Sequence, residues 1–153
     1  MEHLHPSVHR TPLVGNSARQ YLTLRLARKD FAMDAEHVRG ILPVHDLVRS
    51  EGCQGDLLGF IHFAGRMVPV LDAGARLGLR FASRGSRPKI VIAEHLGGMF
   101  SGFIADRVSD VVTYRSRDLR NGVLHGLGRP RKLIALELLA PAHSAEELML
   151  LRG

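Results

Sequence analysis

The sequence predicts a mostly β fold, packed as one domain or as two small lobes that share a core. Three features lead there. Short runs of alternating apolar and polar residues carry the period-2 signature of half-buried strands. Turn residues divide these runs into about nine or ten strands, spaced as in barrels and sandwiches and not as in βαβ units. At 153 residues the chain is long enough to bury most of its apolar surface in a single unit. Hydrophobic residues make up 45% and charged residues 24%, which is the globular and not the disordered class. Aromatics are 5% and tryptophan is absent, so the core must be built from Leu, Val and Ile.

Residues 1–18 hold two prolines and three histidines without periodicity and read as a loose tail, leaving 19–151 as the folded domain. In Tyr21-Leu22-Thr23-Leu24-Arg25-Leu26 the leucines alternate, a strand. Arg28-Lys29-Asp30 reads as a polar turn, and Phe31-Ala32-Met33 as the returning strand of a hairpin. Asp34 stands where an N-cap belongs, ahead of a short helix that Gly40 and Pro43 cut off. Strand resumes over 41–45, and the glycine-bearing stretch 49–56 is a loop. Residues 57–63 and 66–71 pair across Ala64-Gly65. Pro69 cannot donate to a ladder, so its strand is expected at an edge or with a bulge there. Asp72 caps a short helix over 73–77, stopped by Gly78.

After a polar connection over 80–87, residues 90–93 and 99–104 form a hairpin around Gly97-Gly98, a dipeptide suited to two-residue turns. Val108, Val111 and Val112 mark the next strand. Alternation puts Arg107, Ser109 and Val111 on one face, and Val108 with Val112 on the buried one, with a bulge where the pattern breaks at Val111. A last strand is expected over 132–138, and a Ser144-capped helix over 145–151. The stretches 65–71 and 130–136 echo each other: a turn, basic residues, an apolar strand, then a short helix.

Several function classes find no support. No apolar run approaches the roughly 20 residues that cross a bilayer. The N-terminus has no signal-peptide h-region, and a lone Cys53 excludes an internal disulfide, so a cytoplasmic location is expected. The histidines are unaccompanied by a Cys pair, HExxH or clustered carboxylates, so neither metal nor other cofactor is expected. Cys53 lacks a cysteine-enzyme signature, and Asp106 and Asp110, four residues apart on a strand, lie too far apart for a coupled dyad. No catalytic residue is therefore assigned. The net charge of +6 invites a nucleic-acid reading, but the basic residues are scattered and few aromatics look free to stack on bases.

From residue 20 to 151 the order of motifs resembles the CheW-like chemotaxis coupling-protein family. Gly65-Arg66-Met67-Val68-Pro69-Val70-Leu71-Asp72 is similar to the family's R-G-x-I-V-P-V-I-D-L signature, and Arg76-Leu77-Gly78-Leu79 follows it. Gly102-Phe103-Ile104-Ala105-Asp106-Arg107-Val108-Ser109-Asp110-Val111 resembles G-x-x-V-D-x-V-S-D-V. Leu133-Ile134-Ala135-Leu136-Glu137, after Gly126-Leu127-Gly128, resembles the closing segment. The resemblance implies two SH3-like five-stranded β-barrel lobes on a shared hydrophobic core. It also implies a non-catalytic adaptor that couples the cytoplasmic tips of chemoreceptors to the regulatory domain of a CheA-type histidine kinase. Partner contacts are then expected at Val38, Gly40, Ile41, His62, Phe63, Ala64, Gly65, Arg66, Val68 and Val70.

Two departures from the pattern, at Gly40 and Ala64, fall among those contacts. Ala64 replaces the arginine of N-L-R-G, Gly40 replaces the glutamate of V-x-E-I, and Gln54 and Asp56 stand where a proline and a phenylalanine are usual. Gly40 and Ala64 are expected to face one another across a groove, their family charges lost together. Two readings of these departures stand: a specialised coupling protein with an altered partner, and a member that keeps the fold but has lost receptor coupling. The alternative class is a basic small-β-barrel nucleic-acid-binding protein.

Overall fold

The computed structural model describes residues 17–49, 55–79, 87–126 and 128–140. The strands are β1 (Ala18–Leu26), β2 (Lys29–Asp34), β3 (Val38–Pro43), β4 (Leu57–Phe63), β5 (Arg66–Leu71), β6 (Lys89–Glu94), β7 (Phe100–Ala105), β8 (Arg107–Arg115), β9 (Leu119–Arg120), β10 (Val123–Leu124) and β11 (Arg131–Leu133). Among the described residues the one α-helical turn is α1 (Ala73–Arg76). The strands form two sheets, a six-stranded one in the order β8-β1-β2-β11-β10-β9 and a five-stranded one in the order β3-β6-β7-β5-β4. The first sheet has one strand more than the expected five, and two of its six, β9 and β10, are only two residues long. The chain enters the first sheet, builds all of the second, and returns to finish the first.

Three clusters of buried side chains follow from this path. Leu22, Leu24, Leu26, Phe31 and Met33 of the first sheet meet Val91, Ala93, Phe103 and Ala105 of the second. Ile61, Val68, Val70, Ile90, Ile92 and Ile104 fill the second lobe, and Tyr21, Ala32, Tyr114 and Leu124 the first. β1, β6 and β7 are thus buried on both faces, and Ile90-Val91-Ile92-Ala93 of β6 accordingly reads as a continuous apolar run, whereas Thr23 and Arg25 interrupt β1. Tyr21 and Tyr114 pack edge to face at 5.7 Å, and the Tyr114 hydroxyl accepts from Arg131 Nη1 at 2.8 Å, so even the aromatic polar tip is satisfied.

The echo between 65–71 and 130–136 has a structural counterpart. β5 pairs antiparallel with β4 and parallel with β7, while β11 pairs antiparallel with β10 and parallel with β2. A short helical turn follows each: α1, capped by Asp72 Oδ1 accepting from the Ala75 amide at 3.3 Å, and the 3-10 turn Leu136–Leu139. Arg76 ties the two together. Its guanidinium pairs with Asp56 and donates to the carbonyls of Leu138 (3.1 Å) and Ala140 (2.8 Å). The strand expected over 132–138 is therefore only β11, because the chain turns into that 3-10 segment at Leu136.

Other expectations are corrected. β5 is an interior strand, not an edge. Pro69 is accommodated because its partner Phe60 directs its own amide and carbonyl to Val48 (2.9 and 2.8 Å), and pairing of β5 with β7 begins only at Val70. The bulge lies on β4, at Leu58, rather than at Pro69. Gly97-Gly98 is not a two-residue turn: Leu96–Gly98 form a 3-10 turn closed by the His95 amide on the Met99 carbonyl at 2.7 Å. The turn after β1 is Ala27-Arg28, with Lys29 already in β2.

The bulge expected in β8 is real and has a larger effect than foreseen. Leu22 faces Val111 and Leu24 faces Val108, so Ser109 and Asp110 together oppose Thr23. The buried Thr23 hydroxyl stitches the bulge, donating to the Asp110 carbonyl (3.0 Å) and accepting from its amide (3.1 Å). One extra residue reverses the alternation. Val108 consequently packs on the shared cluster and Val112 on the first lobe's own, so the two do not line one face. The expected tail over 1–16, the loop at 50–54 with Cys53 and Gln54, and the helix over 145–151 lie outside the described residues.

Three two-residue hairpin turns have positive φ at both central residues: Ala27-Arg28 (50° and 65°), Ala64-Gly65 (52° and 76°) and Asn121-Gly122 (54° and 74°). Such turns favour Asn-Gly, so the first is the least suited to its conformation. Replacing Ala27→Asn should raise stability and Asn121→Ala should lower it, each by about 1 kcal/mol. Urea midpoints check this; an unchanged midpoint for both variants would contradict the turn assignment.

Candidate docking face

The residues expected to contact partners separate into three groups. Val68 and Val70 point into the second lobe, 1% and 0% exposed, and cannot meet a partner. Val38 and Ile41 lie on β3 opposite Ala93 and Val91 of the shared core. Val38 packs against that core, whereas Ile41 remains 43% exposed at its margin. His62, Phe63, Ala64, Gly65 and Arg66 form the tip of the β4–β5 hairpin, where all but the half-buried Phe63 are exposed.

The tip is organised by contacts that the sequence did not announce. Arg66 stacks over the Phe100 ring at 4.4 Å and donates from Nη1 to the Gly98 carbonyl at 2.8 Å. Phe63 packs against Phe100 with ring centroids 5.9 Å apart. This ties the β4–β5 turn to the β6–β7 turn, where Gly97 and Gly98 both take positive φ and Leu96 and Met99 project outward, 67% and 37% exposed. Leu96, Met99 and Phe100 are thus the residues that sequence reasoning missed. Their signal was the Gly97-Gly98 pair, read as a simple turn.

What stands beside Gly40 is the ring of Phe63, the residue before Ala64. A Cβ on Gly40 would stand 2.7 Å from the Phe63 ring, so the ring occupies the space beside β3. β3 and β4 are opposite edges of the five-stranded sheet, and this approach shows the sheet curling until its edges meet.

Behind the tip lies a polar seam. Arg39, at a bulge in β3, pairs with Glu94 (Nε–Oε1 2.6 Å) and donates to the Glu36 carbonyl at 2.6 Å. His95, 5% exposed, shares a 2.6 Å hydrogen bond with the buried Ser101 hydroxyl. Burial, and then the neighbouring His37, push its pKa down to about 4, against a smaller opposite pull from Glu137. His95 is neutral here and serves as a hydrogen-bonding group. Among the described residues no three His, Cys, Asp or Glu side chains converge as metal ligands, and no helix is long and apolar enough to cross a membrane.

The face is built from two hairpin tips that Arg66 ties together. Known proteins resemble this chain over most of its length. The model of the CheW-like domain matches residues 20–135. Chemotaxis protein CheW of Rhizobium meliloti (strain 1021) is 26% identical over 148 residues, spanning 86% of this chain and 93% of that protein. A probable chemotaxis protein CheW of Rhizobium etli is 29% identical over 98 residues, covering 62% of this chain and 61% of the relative. The crystal structure of the scaffolding protein TtCheW from Thermoanaerobacter tengcongensis superposes with a TM-score of 0.68 at 17% identity, over 78% of this chain and 90% of that one. The chain belongs to the CheW-like domain family.

Because the folded-state pKa of His95 lies below the unfolded value of 6.5, the unfolded chain takes up the proton first. Its contribution is complete above about pH 6.5, declines as pH falls toward 4, and levels off below. His95→Gln should flatten the unfolding midpoint over that window; a profile identical to the parent's would contradict the buried neutral histidine.

Proposed function

We propose that this protein is a cytoplasmic, non-catalytic adaptor that couples chemoreceptors to the regulatory domain of a CheA-type histidine kinase, through the tip formed by the β4–β5 and β6–β7 turns. Family membership supports an adaptor in chemosensory signalling. The observation that carries the docking face is the Arg66–Phe100–Phe63 stack. It ties two turns together and leaves Leu96 and Met99 exposed on one of them, apolar side chains available as an anchor. The glutamate and arginine of the family pattern are absent at Gly40 and Ala64, and the Phe63 ring fills the room beside Gly40. This member therefore docks by apolar contact where the pattern would supply charge. The nucleic-acid reading is not favoured, since every Phe and Tyr ring among the described residues is buried or half-buried and none offers a stacking platform.

Pull-down with the cognate kinase regulatory domain tests this. Leu96→Asp with Met99→Asp should weaken capture at least about tenfold, in keeping with loss of a central anchor, while leaving the urea midpoint nearly unchanged because both side chains are exposed. Arg66→Glu should weaken it by unlocking the turns. Undiminished capture by these variants would move the interface elsewhere.

A further inference from the structure

The opposite end of the β6–β7 hairpin carries a surplus of positive charge. Lys89 lies across from Ala105 on β7. The next residue, Asp106, donates its amide to the Arg25 carbonyl at 2.9 Å, and Arg25 stands directly opposite Arg107. Asp30, opposite Arg25 in β2, is shared between Arg25 (3.4 Å) and Arg129 (3.5 Å). Arg28 and Lys29 complete the rim at the β1–β2 turn, where Arg25 Nη2 donates to the Arg28 carbonyl at 2.7 Å. Six cations thus gather around two carboxylates, Asp30 and Asp106, and Arg28, Lys29, Lys89, Arg107 and Arg129 are exposed.

The fold tolerates this at its own expense. Like charges directly opposite each other on neighbouring strands are destabilising, and Asp30 is already engaged with Arg25 and Arg129 while Arg107 makes no ion pair among the described residues. We infer that this rim is a second docking surface, separate from the tip, and that its partner is an acidic protein segment. Four of the six cations are arginines, whose planar forks match carboxylates in bidentate pairs. The two carboxylates set among them disfavour a continuous track of phosphates, and among the described residues no exposed Phe or Tyr ring stands by for base stacking. The rim lies about 17 Å from the apolar tip, the length of a six-residue strand pair, so both faces can be occupied at once.

The test compares two variants of equal charge change, using a fluorescein-labelled glutamate-rich peptide and a single-stranded oligonucleotide of the same charge as probes. Lys89→Glu/Arg107→Glu/Arg129→Glu should lower peptide affinity at least about tenfold. Arg49→Glu/Arg117→Glu/Arg120→Glu, on exposed positions elsewhere, should lower it less than about threefold, the small effect expected of remote charges. Arg107→Glu alone should raise the urea midpoint by pairing with Arg25, while still weakening the peptide. Equal losses in the two triple variants, absence of peptide binding at low salt, or tighter binding of the oligonucleotide through the same residues would each overturn the proposal.

Discussion

The structure rests on one apolar interface: the leucines of β1 and the Phe31–Met33 pair of β2 packed against Val91, Ala93, Phe103 and Ala105 of β6 and β7. Each sheet would expose an uncovered hydrophobic face without the other. The chain path makes the dependence mutual, because β1 and β2 find β8 and β11 only after β3–β7 have been laid down between them. Burying apolar side chains stabilises at roughly 25 cal/mol per Å², and here that burial is available only to the assembled pair. Such non-local pairing is slow to form but leaves two lobes that hold one another in register.

That register positions the exposed surfaces. β6 and β7 are buried on both faces along their length, so only their ends are free to vary. One end presents Leu96 and Met99 on turns locked by Arg66; the other presents Lys89 beside the Arg25–Arg107 pair. Docking at both ends, as proposed, would fix the distance between the two partners, since one rigid hairpin joins them. Arg76, gripping Asp56 and the carbonyls of Leu138 and Ala140, closes the same frame from the side.

Local features were legible because short-range physics sets them. Asp34 and Asp72 cap where the sequence placed them, and the Ala64-Gly65 turn and the strands on either side match. The repeat between 65–71 and 130–136 foretold two equivalent strand-and-turn units. Features decided by pairing were not legible. Pro69 sits in an interior strand because Phe60 turns its hydrogen bonds toward Val48, which no local rule contains. The exchange of faces between Val108 and Val112 depends on one inserted residue opposite Thr23. Of the candidate site, the β4–β5 turn and Arg66 were legible from the signature they carry. Phe100, Leu96 and Met99 were hidden because their role depends on two distant hairpins meeting. Val68 and Val70 were named as contacts because a shared motif does not distinguish residues that build a strand from residues that touch a partner.

The shared interface is tested most directly by native-state hydrogen exchange on Leu24→Ala. Leu24 is 2% exposed at the centre of that interface, and its truncation should cost roughly 2–5 kcal/mol. If the two sheets stand or fall together, the slowest amides of β1 in one sheet and β6 in the other lose protection by the same amount. Loss confined to the six-stranded sheet, with β6 and β7 as protected as before, would mean that the lobes are independent and that the shared core does not set their geometry.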